Sequence, residues 1–181
     1  MPRLFLGVEL AEPLKRAALT AQQGYPAPRW QSASQLHLTL RFLGAVEAER
    51  LPALEHALRT VRVERFELAV AGVGCFGEPD APKILWAGVT PHEPLQRLRE
   101  QIDLSLLGCG LGYESSHYRP HITVARLRQP AASARAWLAC HQSLSCDAVS
   151  VEEFRLVASL PAAEGSRYTC IQRFSLLSER G

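Results

Sequence analysis

The chain has 181 residues, 47% of them hydrophobic and 21% charged, which is ordinary globular composition with enough apolar side chain to bury a core. Its formal net charge of +2 is too small to argue for nucleic-acid binding by charge alone. No apolar run is long enough to span a bilayer.

The elements read in order as follows. Residues 3–10, "RLFLGVEL", form an opening strand, and residues 12–23 a helix with Pro13 in its first turn, where proline is tolerated. Gly24, Pro26 and Pro28 punctuate a loop over 24–34. Residues 35–43, "QLHLTLRFL", alternate cleanly and read as a strand. A helix follows at 48–61, then strands at 65–77 and 83–89 joined by the hairpin-type connection "GEPDAP". The longest helix covers 92–108 and stops at "CGLG". A strand at 119–127, a helix at 131–142, and strands at 148–160 and 166–177 joined by "PAAEG" complete the chain. Strict strand–helix alternation fails twice, so the expected fold class is α+β with a largely antiparallel sheet. The element order hints at a duplicated half-unit.

Five cysteines (Cys75, Cys109, Cys140, Cys146 and Cys170) make an odd count with no regular spacing. Cys140, His141 and Cys146 fit no standard zinc spacing, and a second pair is missing. "MPRLFLGVEL" does not read as a signal peptide. The expectation is a cytoplasmic protein with reduced thiols. Arginine far outnumbers lysine, with Lys15 and Lys83 the only lysines. Phosphate recognition and GC-rich coding both produce that bias.

The pattern that carries chemistry is a repeated His-x-Thr: "HLTLRFLG" at 37–44 and "HITVARLR" at 121–128. Successive strand side chains point to opposite faces. Leu36, Leu38 and Leu40 therefore share one face, and His37, Thr39 and Arg41 the other. Ile122 and Val124 share a face opposite His121 and Thr123. Each strand offers an imidazole and, about 7 Å along, a hydroxyl on the same side. A half-exposed strand with polar residues outward explains one such motif. Two of them, each with arginine close by, point to a shared site.

Brought together across a groove, one neutral and one protonated imidazole act as general base and general acid on opposite sides of a phosphorus atom. The threonine hydroxyls, with arginine or backbone N–H groups, hold the non-bridging oxygens. Such a reaction needs no metal, and no carboxylates flank either motif. Arg41 shares the parity of His37, and Arg119 that of His121. Arg126 falls on the wrong face of an ideal strand unless a bulge re-aims it. Tyr118, Phe42, Trp30 and Tyr168 are candidates to stack on a base. His56, His92, His117 and His141 read as bystanders, with His117 the nearest to a motif.

With these motifs the sequence resembles the two-histidine phosphoesterase superfamily. Within it, the chain is most similar to the bacterial and archaeal RNA 2′,3′-cyclic phosphodiesterases, formerly named 2′-5′ RNA ligases. The resemblance covers nearly the whole chain, through "RLFLGVEL", "RWQSASQLHLTLRFLG", "KILWAGV", "YRPHITVARLR" and "SRYTCIQRFSL". It implies a single domain over 1–181 built from two intertwined lobes. Two antiparallel sheets would face each other across a central cleft, helices would lie outside, and a pseudo-two-fold would relate the halves.

The implied reaction is cofactor-free, metal-independent hydrolysis of an RNA or nucleotide 2′,3′-cyclic phosphate to a 2′-phosphate, with 2′-5′ ligation as its reverse. By resemblance His37 donates the proton to the leaving 3′ oxygen, His121 accepts one from water, and Thr39 and Thr123 bind phosphate oxygens. The residues alone do not assign which histidine is which. Arg41, Arg126, Arg119 and Tyr118 complete the expected site. The expected partners are RNA 3′ ends or small cyclic nucleotides, met by a monomer and not by a membrane protein. The alternative is a module that binds cyclic-phosphate RNA ends with little turnover. A histidine-triad hydrolase is rejected, because the chain has no His-x-His-x-His.

Overall fold

The structure, a computed structural model, describes residues 2–27, 29–111, 117–163 and 165–178. Eight strands and four helices follow one another: β1 (Arg3–Glu9), α1 (Glu12–Thr20), β2 (His37–Ala45), α2 (Leu51–Leu58), β3 (Phe66–Glu78), β4 (Ala81–Thr90), α3 (Glu93–Leu107), β5 (His121–Arg126), α4 (Arg135–His141), β6 (Val149–Val151), β7 (Glu153–Ala162) and β8 (Gly165–Ser175). A 3₁₀ turn, Ala48–Arg50, leads into α2.

The strands form one antiparallel sheet in the order β6-β3-β4-β5-β2-β1-β7-β8. The expectation of two separate facing sheets is corrected to two four-stranded halves joined at a narrow seam. At that seam β2 and β5 share a single paired position, Leu38 with Ile122. The chain runs β1–α1–β2 in one half and β4–α3–β5 in the other, each time with the two strands antiparallel. A His-x-Thr opens the last strand of each unit.

The expected single strand at 148–160 is split at Glu152. Residues before it pair with β3 and residues after it with β1, which stand second and sixth in the strand order. In a flat sheet β6 and β7 would lie about 29 Å apart, whereas Val151 and Glu153, two steps apart along the chain, are separated by no more than about 7 Å. The sheet must therefore curl until its two ends approach each other. Glu64 bridges Leu177, and Arg65 N–H donates to the Leu177 carbonyl, tying the start of β3 to the segment after β8. The result is an α+β half-barrel.

Alternation assigns the faces. Leu36, Leu38, Leu40, Ile122 and Val124 are buried in one continuous core with Leu4, Leu6 and Val8 of β1. Leu14, Ala17 and Ala18 of α1 and Leu95, Leu98, Ile102 and Leu106 of α3 complete it at helical spacing. A fully buried aliphatic side chain is worth about 1.5–3 kcal/mol. A one-residue slip of β2 would exchange its leucines for His37 and Thr39, so the register is strongly specified. The helices cross between halves: α1 packs on β3 and β5, and α3 on β2.

Candidate active site

The seam places the two motifs side by side. From the Leu38–Ile122 pair, the antiparallel sense sets His37 opposite Thr123 and Thr39 opposite His121. Diagonal positions in such a pair lie roughly 7–8 Å apart, so both imidazoles and both hydroxyls border one small area of the sheet.

The two histidines are held in the same way. His37 Nδ1 donates to the Gln35 carbonyl at 2.7 Å, and His121 Nδ1 to the Arg119 carbonyl at 2.7 Å. A carbonyl oxygen can only accept, so each Nδ1 carries the proton and each neutral ring keeps its lone pair on Nε2. Each ring also sits in an aromatic cage. Phe5 of β1 and Tyr168 of β8 pack on His37, with centroids at 4.8 and 4.7 Å. Phe76 of β3 and Trp86 of β4 pack on His121 at 4.8 and 6.2 Å. Burial in these cages lowers both histidine pKa values. The carbonyl hydrogen bonds oppose the shift, and the Arg126 charge adds to the lowering in both; His121 contributes further at His37, and Arg119 at His121.

The arginines divide. In β2 the pairing steps from Gly7–Thr39 to Leu6–Arg41, which leaves Leu40 as an extra residue, a bulge. Leu40 and Arg41 are both buried, and alternation resumes one residue out of phase. Arg41 therefore does not face outward with His37, as strict parity expects. It is 6% exposed and ion-paired with Asp103 of α3. Phe42, 59% exposed, takes the outward position instead. β5 repeats the device: the pairing steps from Trp86–Thr123 to Leu85–Ala125, leaving Val124 as the extra residue. Arg126 is thereby turned outward, exposed and close enough to depress both histidines. Arg119 lies over the Trp86 ring at 4.6 Å.

Tyr118 is tied to β2 and α3. Its hydroxyl donates to the Thr39 carbonyl at 3.1 Å, and the Arg99 guanidinium lies 4.7 Å over its ring. Burial pushes its phenol well above the usual range. Trp30 bridges Ala125, and Gln31 N–H donates to the Val124 carbonyl, covering the edge of β5 where it leaves β2. His117 is exposed beside Tyr118. The caging residues Phe5, Phe76 and Trp86 and the buried pair Arg99–Asp103 escaped the sequence reading. Helical spacing signals the pair, since Arg99 and Asp103 fall on the same buried stripe as Leu95, Leu98, Ile102 and Leu106.

A cavity of about 150 Å³ opens beside His37, with Phe5, Glu9, Ser34, Arg155 and Tyr168 in its walls. Arg155 is held there by Glu9 and Glu153. Among the described residues no three His, Cys, Asp or Glu side chains converge as a metal site. The five cysteines are unpaired. No helix among the described residues is long and apolar enough to cross a membrane.

A single curled sheet with one His-x-Thr on each side of its central seam is the architecture of a two-histidine phosphoesterase. The family model of the 2′-5′ RNA ligase superfamily matches residues 7–160, and the chain belongs to that family. It is 33% identical to the RNA 2′,3′-cyclic phosphodiesterase of Thermus thermophilus, over 99% of this chain and 92% of that one. Its fold is similar to the crystal structure of TT0787 from the same organism, with a TM-score of 0.79 and 28% identity over 98% of this chain and all of that one. It is also similar to E. coli LigT complexed with 3′-AMP, with a TM-score of 0.73 and 27% identity over 97% of both chains.

Proposed function

We propose that this chain hydrolyses the 2′,3′-cyclic phosphate at RNA or nucleotide ends to a 2′-phosphate, with His37 and His121 as the acid–base pair. The observation that carries the reading is the matched presentation of two Nε2 atoms, each ring oriented by a carbonyl bond from Nδ1. The names of the relatives and the 3′-AMP complex of LigT support the substrate class.

In the reaction, a water oxygen bonds to phosphorus as the bond from phosphorus to the 3′ oxygen breaks. His121 Nε2 takes the water proton, and protonated His37 Nε2 gives its proton to the departing 3′ oxygen. The resemblance assigns these two roles, and the near-symmetry of the site accommodates them. Thr39 and Thr123 hydroxyls hold the non-bridging oxygens, and the outward Arg126 offsets the phosphate charge. A 5′-hydroxyl in place of water yields a 2′-5′ linkage by the same steps. Cage desolvation favours the neutral form of both rings in the free enzyme. A bound phosphate anion favours the imidazolium and so supplies the acid. The same reading takes residues 1–181 as one domain of two intertwined lobes related by a pseudo-two-fold, acting as a cytoplasmic monomer.

The test is incubation in EDTA with a short RNA ending in 2′,3′-cyclic phosphate, alongside the His37→Ala/His121→Ala double variant. Conversion to the 2′-phosphate by the wild type alone is the expected result. Bound RNA that is never converted would refute hydrolysis and favour an end-binding module.

A further inference from the structure

Beyond the cavity at His37 lies a second cleft of about 340 Å³, lined among others by Arg29, Trp30, Ser32, Ser34, Gln35 and Arg167. Ser34 lines both spaces, and Gln35 is the residue whose carbonyl orients His37. The two spaces are therefore neighbours along one short segment of chain.

The chemistry of the second cleft is that of an anion site. Arg29 and Arg167 are exposed, and neither forms an ion pair among the described residues. Elsewhere on the surface Arg135 is paired with Asp80, and Arg155 with Glu9. No carboxylate lines this cleft among the described residues. Two hydroxyls, of Ser32 and Ser34, line the same cleft, with their oxygens 3.0 Å apart. The floor is fixed, since the Gln35 side chain donates to the Ser166 carbonyl at 3.1 Å and accepts from Ser32 N–H at 3.0 Å. Guanidinium forks and hydroxyls are the usual ligands of phosphodiester oxygens, and the Trp30 indole offers a base a stacking surface.

A cyclic phosphate held between His37 and His121 terminates its chain at the 3′ end. The rest of an RNA leaves the site in one direction only, through the 5′ oxygen of the terminal ribose to the next phosphodiester. We infer that the Arg29/Arg167 cleft binds that phosphodiester, so that the site recognises an oligoribonucleotide end rather than a lone cyclic nucleotide. The inference rests on the hydrolase reading above and adds a subsite to it.

The test compares kcat/KM for a mononucleoside 2′,3′-cyclic phosphate and for a dinucleotide with the same terminal nucleotide, in the wild type and in an Arg29→Gln/Arg167→Gln variant. The wild type is expected to prefer the dinucleotide by roughly 10- to 100-fold. The variant should lose that preference and keep mononucleotide turnover within about twofold, because neither arginine touches the reacting phosphate. The salt dependence of dinucleotide KM should also flatten, by about 0.7 in log–log slope for one lost phosphate contact. Equal turnover of both substrates by the wild type, or an unchanged preference in the variant, would overturn the subsite and leave the hydrolase reading intact. Turnover of neither substrate by the wild type would overturn both.

Discussion

Asp103 offers a direct measure of what holds the two halves in register. It lies 1% exposed on α3, between Arg41 of β2 at 6% and Arg99 at 7%. One carboxylate oxygen takes Arg41, and the other is 3.6 Å from Arg99 Nε. Asp103→Asn keeps the shape and removes the charge, leaving two buried guanidiniums without the carboxylate between them. Breaking a buried ion pair from one side costs about 3–5 kcal/mol. For a domain of this size that corresponds to a Tm lower by about 6–20 °C. Urea denaturation should show a lower midpoint at unchanged m-value. Replacing all three charges with apolar residues (Arg41→Met, Arg99→Met and Asp103→Leu) should restore most of the loss, because the desolvation cost goes with them. A loss below about 1 kcal/mol in Asp103→Asn, or a triple variant as unstable as the single one, would refute this account. The single variant should also lower kcat by up to about 10²-fold, since α3 fixes β2 and the seam has one paired position.

His37→Ala and His121→Ala should each lower kcat by about 10²–10⁴ with little change in melting temperature; full activity in both would rule out acid–base roles. Both histidine pKa values are lowered in the free protein, so each ring is protonated only below its ordinary value of about 6.5. The kcat/KM profile should therefore be a bell with its optimum on the acid side of about pH 6.5. Arg126→Gln removes a charge that depresses both rings, so its optimum should move to higher pH; a fixed optimum would show that Arg126 does not act on them. A Cβ at Gly74 would overlap the Trp86 indole that packs on His121. Gly74→Ala should accordingly lower kcat more than it raises KM, a split that steady-state kinetics on a cyclic nucleotide would expose.

The architecture of both motif strands was legible one strand at a time. Period-2 alternation put Leu38 and Leu40 inward and His37 and Thr39 outward, and did the same for Ile122 and Val124 against His121 and Thr123. It did so because burial of leucine, isoleucine and valine outweighs any other choice of face. The helices at 12–23, 92–108 and 131–142 were readable from apolar spacing, with boundaries a few residues generous at their ends.

Parity failed where a partner strand decided it. Arg41 turned inward and Arg126 outward because bulges at Leu40 and Val124 shift the phase after each threonine. A bulge is a property of two paired strands and leaves no mark in the alternation of one. The switch at Glu152 was hidden for a similar reason, since an unbroken strand and one passing between two ends of a curled sheet have the same local pattern.

Residue chemistry and spacing by themselves determined that this chain carries two imidazole–hydroxyl pairs on two amphipathic strands, because side-chain alternation is a local consequence of extended backbone geometry. Tertiary structure alone decided that the pairs meet at one seam, which arginine faces them, and that Arg41 is buried on Asp103. Those outcomes depend on contacts between segments far apart in the chain, whose free energies no single segment contains.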